Sequence, residues 1–339
     1  MRGKLLVAGL SALLLVILIS PNILMAQPVE TEHSIVVDER GSMEVKPLVR
    51  PRMACRYQSI EVLKKEKDHQ ILLIKYAKDG EIKEAVAEIK GDLRRKAEIN
   101  IDVEGKRYSI DVERTQVFSM GFEREFPVIE QGRFVRRSLD ISLVKLSGNI
   151  SVEYYLLNYS VTNPKWNLSI ITMLFPRGEA YAAFTAVVYS PAEKRVTSLE
   201  LVNLSGGITL SQSYMILSNV AENLSKVYER GNKTVREQLP YGYKVMAIEL
   251  KHLANLVNKV GMDRPISSAR ALISDEQCEA VCTAITTVVC YTVCYPVTGF
   301  VAGFFCGVLC GTAVEPFCEM VCYGDTEMEE PEIPPGPYP

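Results

Sequence analysis

Histidine is scarce in this sequence: the chain has three, His33, His69 and His252, and none follows His252. They are far apart and do not form the His-Glu-x-x-His spacing of a zinc hydrolase. Phosphate-binding loops and dinucleotide-binding glycine patterns are absent too. One Ser-x-x-Lys match, Ser142 to Lys145, falls in a predicted strand and is attributed to chance. The sequence therefore predicts no enzyme, no cofactor and no metal site.

Basic residues are absent from the last part of the chain. No Lys, Arg or His follows Arg270, whereas ten acidic residues do, so this part has a formal charge of −10. The segment 27–270, called the body below, has 36 basic and 31 acidic residues, a formal charge of +5. Opposite charges favour binding between two surfaces. We expect the body and the C-terminal part to be partners, and we expect no nucleic-acid partner.

The N-terminus has the three-part layout of a secretory signal peptide. Arg2 and Lys4 precede an apolar run at residues 5–19, and a small residue, Ala26, follows. There is no twin-arginine pair, which favours the general secretory route. We expect residues 1–26 to be the signal peptide, cleaved between Ala26 and Gln27, with an uncleaved anchor as the alternative. The predicted location is extracellular, either secreted or held at the cell surface before processing.

Six Asn-x-Ser/Thr sequons support export. They lie in the middle of the chain and predict N-glycosylation on a solvent-facing region. The asparagines are Asn149, Asn158, Asn167, Asn203, Asn223 and Asn232.

Eight of the nine cysteines lie near the C-terminus as four Cys-x3-Cys pairs, and their gaps read the same in both directions. In an exported protein, an even and regular set indicates disulfides rather than metal ligands. Cys55 is left over. The eight are Cys278, Cys282, Cys290, Cys294, Cys306, Cys310, Cys318 and Cys322.

The mirror symmetry predicts a helical hairpin that folds back near Pro296 and Gly299. Its nested disulfides would join Cys294 to Cys306, Cys290 to Cys310, Cys282 to Cys318 and Cys278 to Cys322. At about 100° per residue, however, an eight-residue step turns inner and outer pairs roughly 80° apart on a straight helix. The alternative is that each half closes on itself, with Cys278 joined to Cys294 and Cys282 to Cys290. Both pairings stay open at this point.

The same region lacks charge. From Ala280 to Val314 there is no charged residue, and four glycines recur at every fourth position. Small residues at this spacing let helices approach closely, in membranes or in a compact soluble module. The predicted glycine packing face is Gly299, Gly303, Gly307 and Gly311.

The body is predicted to be α+β, an antiparallel sheet with two or three helices. Alternating runs separated by short polar breaks predict a meander of strands. Helical spacing appears at Leu217 to Tyr228 and at Val245 to Val260, and helix is slightly favoured for residues 81–96. A polar stretch at 261–277, with Arg264 and Arg270, is the predicted linker and processing region. Residues 278–322 then form the small all-α disulfide-rich domain, and 323–339 a disordered acidic tail.

The cysteine-rich region resembles the halocin C8-like archaeal peptide antimicrobials. The resemblance is carried by "CYTVC" at 290–294, "GFVAGFFCGVLCG" at 299–311 and "CEMVC" at 318–322. It implies a precursor with an export signal, a long N-terminal segment associated with immunity, and a cysteine-rich peptide freed by proteolysis. By this resemblance the body is the immunity-like or pro-domain and the region after it is the toxin.

Two hypotheses follow. In the first, the chain is a secreted precursor whose peptide acts on a target-cell membrane or surface receptor while the body sequesters it. Acidity opposes attraction to anionic lipids, so membrane action would rest on apolar burial. In the alternative, the chain is a cell-surface glycoprotein whose apolar C-terminal hairpin is a membrane anchor or assembly module.

Overall fold

A computed structural model gives the arrangement of most of the body and the start of the cysteine-rich region. The residues that it describes are 33–37, 43–47, 56–66, 68–78, 81–125, 134–149, 151–163, 166–191, 197–201, 208–229, 238–266, 280–285 and 287–288.

One large antiparallel sheet dominates the described residues. Its ten strands, β3 to β12, follow one another so that each pairs with its neighbours in sequence. β1 (His33–Val37) and β2 (Met43–Pro47) form a separate hairpin. The strands of the large sheet are β3 (Arg56–Lys65), β4 (His69–Lys78), β5 (Glu81–Asp92), β6 (Lys96–Val103), β7 (Lys106–Glu125), β8 (Phe134–Gly148), β9 (Val152–Asn163), β10 (Trp166–Arg177), β11 (Ala180–Pro191) and β12 (Thr197–Leu201).

Two long helices follow the sheet in sequence. α1 spans Leu210–Glu229 and α2 spans Gln238–Lys259. Thr209 and Gln212 form a capping box at the start of α1, since the Thr209 N–H donates to Gln212 Oε1 at 2.8 Å and the Gln212 N–H to Thr209 Oγ1 at 3.4 Å. Both helices are amphipathic and pack their apolar sides on the sheet.

The predicted fold class is wrong. Strand, not a balance of strand and helix, makes up most of the described residues, and residues 81–92 form β5 rather than part of a helix. The predicted small, separate all-α hairpin is not shown either. Its described residues, 280–285 and 287–288, are helical, but they share one hydrophobic core with the sheet.

The sheet has two apolar faces. The helix face carries α1 and α2. Its fully buried strand residues come from β8 to β11, among them Leu139, Tyr159, Ile170 and Val187, and Phe118 of β7 packs against them. The other side, called the C-terminal face below, carries residues 280–288. Its buried residues come from β4 to β11: Leu72, Ile74, Ala85, Ala87, Ile89, Ala97, Ile99, Ile101, Val103, Ile110, Val112, Val144, Leu146, Val152, Tyr154, Leu156, Ile171, Met173, Phe175, Ala182, Phe184, Ala186 and Val188.

A bulge in β7 lets one long strand contribute to both faces. Pairing with β8 is regular up to Gln116 opposite Ser142 and resumes at Phe118 opposite Ile141. The extra residue, Val117, is exposed and shifts the alternation by one. Ile110 therefore points to the C-terminal face and Phe118 to the helix face, although both positions are even-numbered.

A buried ion pair connects the sheet to α2. The Arg137 guanidinium of β8 donates to both carboxylate oxygens of Glu249, at 2.6 and 2.9 Å. The Tyr159 hydroxyl also donates to Glu249, at 2.6 Å. Burial lowers the pKa of Arg137, but the bonded Glu249 carboxylate more than offsets this, so the pKa is raised and the arginine stays charged.

The chain after α2 remains attached to the body. The Tyr181 N–H donates to Pro265 O at 2.9 Å, and the Ile266 N–H donates to Ile208 O at 2.7 Å. Asp263 accepts from both the N–H and the hydroxyl of Ser211, at 2.7 and 2.8 Å. The first six residues of the predicted 261–277 linker are thus bonded into the body, and Asp263 caps α1.

Replacing Asp263 by Ala is expected to destabilise the chain by about 1 kcal/mol, because the Ser211 N–H at the start of α1 loses its acceptor. The midpoint of thermal unfolding measures the loss. Asp263→Asn is the matched control, since its side-chain oxygen still accepts from the Ser211 N–H. Equal losses in the two variants would show that the cap is not the cause.

Candidate functional site

The C-terminal face is the candidate functional site, because the start of the cysteine-rich region packs on it. Alternation along β5 and β6 directs Ala85, Ala87, Ile99 and Ile101 to this side, and all four are fully buried. On β10 and β11 both sides are buried, because α1 and α2 cover one side and the C-terminal face is covered on the other. Residues 280–288 lie within the apolar cluster of this face.

The helical segment at 280–288 is buried all round. Each of its eight described residues is at most 1% exposed, including Val281, Ile285 and Val288. Such a helix has no polar side to turn to water, so it needs cover on every side. The sheet provides part of that cover through the C-terminal face. The segment is therefore an integral part of the core, not an exposed extension.

Two of the described residues in this segment are buried threonines, Thr283 and Thr287. The Thr287 hydroxyl donates to Thr283 O, one turn earlier, at 2.7 Å. This bond satisfies the hydroxyl inside the helix, so burying Thr287 costs little. The segment can thus lie against apolar strands despite its threonine content.

Cys282 lies in the buried segment and is disulfide-bonded. The partner cysteine lies outside the described residues. Both pairings, Cys282 with Cys318 in the nested scheme and with Cys290 in the half-closed one, remain predictions, because these partners are outside the described residues. The same holds for Cys278, Cys290, Cys294, Cys306, Cys310, Cys318, Cys322, Gly299, Gly303, Gly307 and Gly311.

Tyr154 is a buried polar side chain on the C-terminal face. It is fully buried, packs near Phe175 with ring centroids 5.4 Å apart, and its hydroxyl makes no hydrogen bond within the described structure. Burial raises the pKa of this hydroxyl, so Tyr154 stays neutral. The residue acts as an apolar part of the face.

Tyr154→Phe is expected to leave the free energy of unfolding unchanged or to raise it by about 1 kcal/mol. A buried hydroxyl without a partner costs roughly 1–3 kcal/mol, and the ring contact with Phe175 is kept. Urea unfolding checks this. A clear loss of stability in Tyr154→Phe would show that the hydroxyl has a partner in solution.

The residues considered for catalysis are not brought together. His33 is in β1, His69 in β4 and His252 in α2. His69 bonds Glu88 at 2.9 Å, and the His252 ring lies 6.5 Å from that of Tyr159. Ser142 is buried on the C-terminal face, whereas Lys145, three residues along the strand, is on the opposite side and bonds Glu153 at 2.9 Å. In the described ranges no three His, Cys, Asp or Glu residues are grouped for a metal ion.

Of the two candidate processing residues, Arg264 lies within the described part of the chain and is bonded to the body. Arg264 lies over the Tyr181 ring at 5.3 Å, and its carbonyl accepts from the Leu210 N–H at 3.0 Å. Cleavage after Arg264 would therefore require local opening of the body. Arg270 lies outside the described residues, as do Ala26, Gln27 and Cys55.

The described sequons fall in three environments. Asn149 is exposed in the turn between β8 and β9, and Asn223 is exposed on α1. Asn158 and Asn167 are half-buried in β9 and β10. Asn203 and Asn232 lie outside the described residues.

No protein-family model, curated protein or solved structure matches this chain. Among the described helices, none is both long and apolar enough to cross a bilayer.

Proposed function

We propose that the chain is a secreted precursor of an antimicrobial, halocin-like peptide. The cysteine-rich C-terminal region is the toxin, acting on a target-cell membrane or surface receptor. The body is the immunity or pro-domain and holds the peptide on its C-terminal face. The observation that supports this most is the burial of residues 280–285 and 287–288 in one apolar cluster with the sheet of the body.

Burial explains how such a peptide is kept inactive. A segment with no charged residue between Ala280 and Val314 has a strong tendency to leave water. On the C-terminal face the sheet takes the place that a bilayer or a receptor would otherwise occupy. The apolar residues that would make those contacts are then inaccessible, and proteolysis alone does not expose them.

Cleavage and release are consequently two separate steps. A cut between residues 267 and 279 removes the covalent link but leaves the apolar contacts of 280–288 intact. We expect the two fragments to stay together as a non-covalent complex. Release then requires a membrane, a receptor or another change that competes with the C-terminal face.

The test uses the oxidised chain with a unique protease site inserted between residues 267 and 279. After cutting, the fragments are expected to co-elute in gel filtration and to separate only in denaturant. The separated peptide should inhibit the growth of related archaea and release dye from vesicles of neutral archaeal lipids. Adding the body back should reduce both effects.

A pair of variants makes this test specific for the C-terminal face. Ile285→Ala removes buried contacts and is expected to weaken retention of the peptide by about 2–5 kcal/mol, more than tenfold. Val86→Ala, on the exposed side of β5, should not change retention. If full-length protein pellets with membranes and no peptide is freed, the anchor hypothesis replaces this proposal. A freed but inactive peptide that the body does not bind contradicts it outright.

A further inference from the structure

The sequon Asn149-Ile150-Ser151 lies at the turn between β8 and β9. Gly148 ends β8 with φ 108°, a backbone conformation that turns the chain and favours glycine. Asn149 and Ser151 are both exposed, and neither lies within a strand. An oligosaccharyltransferase must reach the asparagine and the hydroxyl two residues later together, and this turn presents both.

Two of the bonds that Asn149 makes involve groups that N-glycosylation does not use. Asn149 Oδ1 accepts from the Ser109 N–H at 2.7 Å, and the Asn149 backbone N–H donates to Ser109 O at 3.1 Å. N-glycosylation uses neither group, because the new bond forms at Nδ2. These two bonds hold the side chain in place and would persist in the glycosylated protein.

The other described sequons lack this combination. Asn158 is in the interior of the sheet, paired between Asp140 and Ile171, and its Oδ1 is buried. The hydroxyl of its sequon, Ser160, lies 2.7 Å from that of Ser138. The sequon hydroxyls that follow Asn167 and Asn223 belong to Ser169 and Ser225, which are only 5% and 4% exposed.

We propose that Asn149 is the N-glycan acceptor of the folded protein. Its amide nitrogen attacks the anomeric carbon of a lipid-linked oligosaccharide. The C–N bond forms, the C–O bond to the lipid phosphate breaks, the phosphate leaves with the electron pair, and Nδ2 loses one proton. This inference rests on the export that is part of the proposed function.

The position of Asn149 gives the glycan a structural consequence. Gly148 pairs with Ile110, and Leu146 and Val152 flank the turn; all three apolar residues belong to the C-terminal face. The glycan would therefore stand at the rim of the face that covers residues 280–288.

The experiment expresses the full chain behind a heterologous signal peptide in a host with N-glycosylation, so that it does not depend on the native signal. Glycopeptide mass spectrometry is expected to find sugar at Asn149. Asn149→Gln and Ser151→Ala should remove it, whereas Ser151→Thr and Asn223→Gln should retain it. A co-expressed reference glycoprotein shows that the host machinery is active.

An unmodified Asn149 beside a modified reference protein overturns the inference, as does modification at Asn158 or Asn167 in its place. Expression with the native signal is a separate arm. Failure of export there, with Asn149 modified behind the heterologous signal, would count against the proposed function and not against this site.

Discussion

Removing residues 278–339 is expected to unfold the remaining body or to make it aggregate. Val281, Ile285 and Val288 are fully buried, and burying such side chains stabilises by roughly 1.5–3 kcal/mol each, about 5–9 kcal/mol together. A typical domain has a net stability of only about 5–15 kcal/mol. The truncated chain also exposes the C-terminal face over several strands, an apolar patch that promotes association. Circular dichroism, urea unfolding and gel filtration measure these effects.

A second truncation is the matched control. Deleting only residues 323–339 leaves the cysteine-rich region in place, and this chain should unfold like the full-length protein. Adding the oxidised peptide to the chain that ends at residue 277 should restore a cooperative unfolding transition, because the C-terminal face regains its cover. If the chain that ends at residue 277 is a stable monomer with the unfolding midpoint of the intact protein, the segment is not part of the core.

Glu249→Ala is expected to cost about 3–5 kcal/mol of stability, because Arg137 is left as a buried charge without its carboxylate. Trp166 reports the unfolding transition, since it is the only tryptophan and is 3% exposed on the helix face. Its indole N–H donates to the Tyr241 hydroxyl at 3.1 Å, so separation of α2 from the sheet changes its surroundings.

Two controls separate burial from loss of charge. Glu222→Ala breaks bonds to Lys226 and Lys251 at 3.0 and 3.1 Å on the surface and should change stability little. The triple variant Arg137→Met, Tyr159→Phe, Glu249→Leu replaces these three polar side chains by apolar ones and should recover most of the loss. A loss in Glu249→Ala no larger than that in Glu222→Ala would contradict the role of the ion pair.

Residues 81–92 show why part of the fold was mispredicted from the sequence. Ile82, Val86 and Ile89 have the spacing of one helix face, which favoured a helix. In the structure Ile82 and Val86 are the exposed residues, at 64% and 37%, while Ala85 and Ala87 join Ile89 on the buried side of β5. The buried residues Ala85 and Ala87 are small, whereas the large residues Ile82 and Val86 are exposed. The large apolar residues alone therefore show a helical spacing although the segment is a strand. The long helical spacings later in the chain carry stronger signals, and α1 and α2 lie there.

The cysteine spacing indicates disulfides, but it carries no information on the contact between the cysteine-rich region and the body. Alternation within β5, β6 and β9 indicates which residues face a core, but not which segment covers them. The lack of charged residues from Ala280 to Val314 was the available signal, because a helix without a charged side needs cover on every side. The sequence does not reveal the bulge at Val117, because the apolar residues before and after it, such as Ile110 and Phe118, all occupy even-numbered positions.

Hydrogen exchange of the intact, oxidised protein tests the central claim most directly. If residues 280–288 are part of the core, their amides should exchange as slowly as those of β6, and both should be released in the same global opening. Fast exchange at 280–288 beside a protected β6 would show that the segment does not occupy the C-terminal face in solution, and would contradict the sequestration of the peptide by the body.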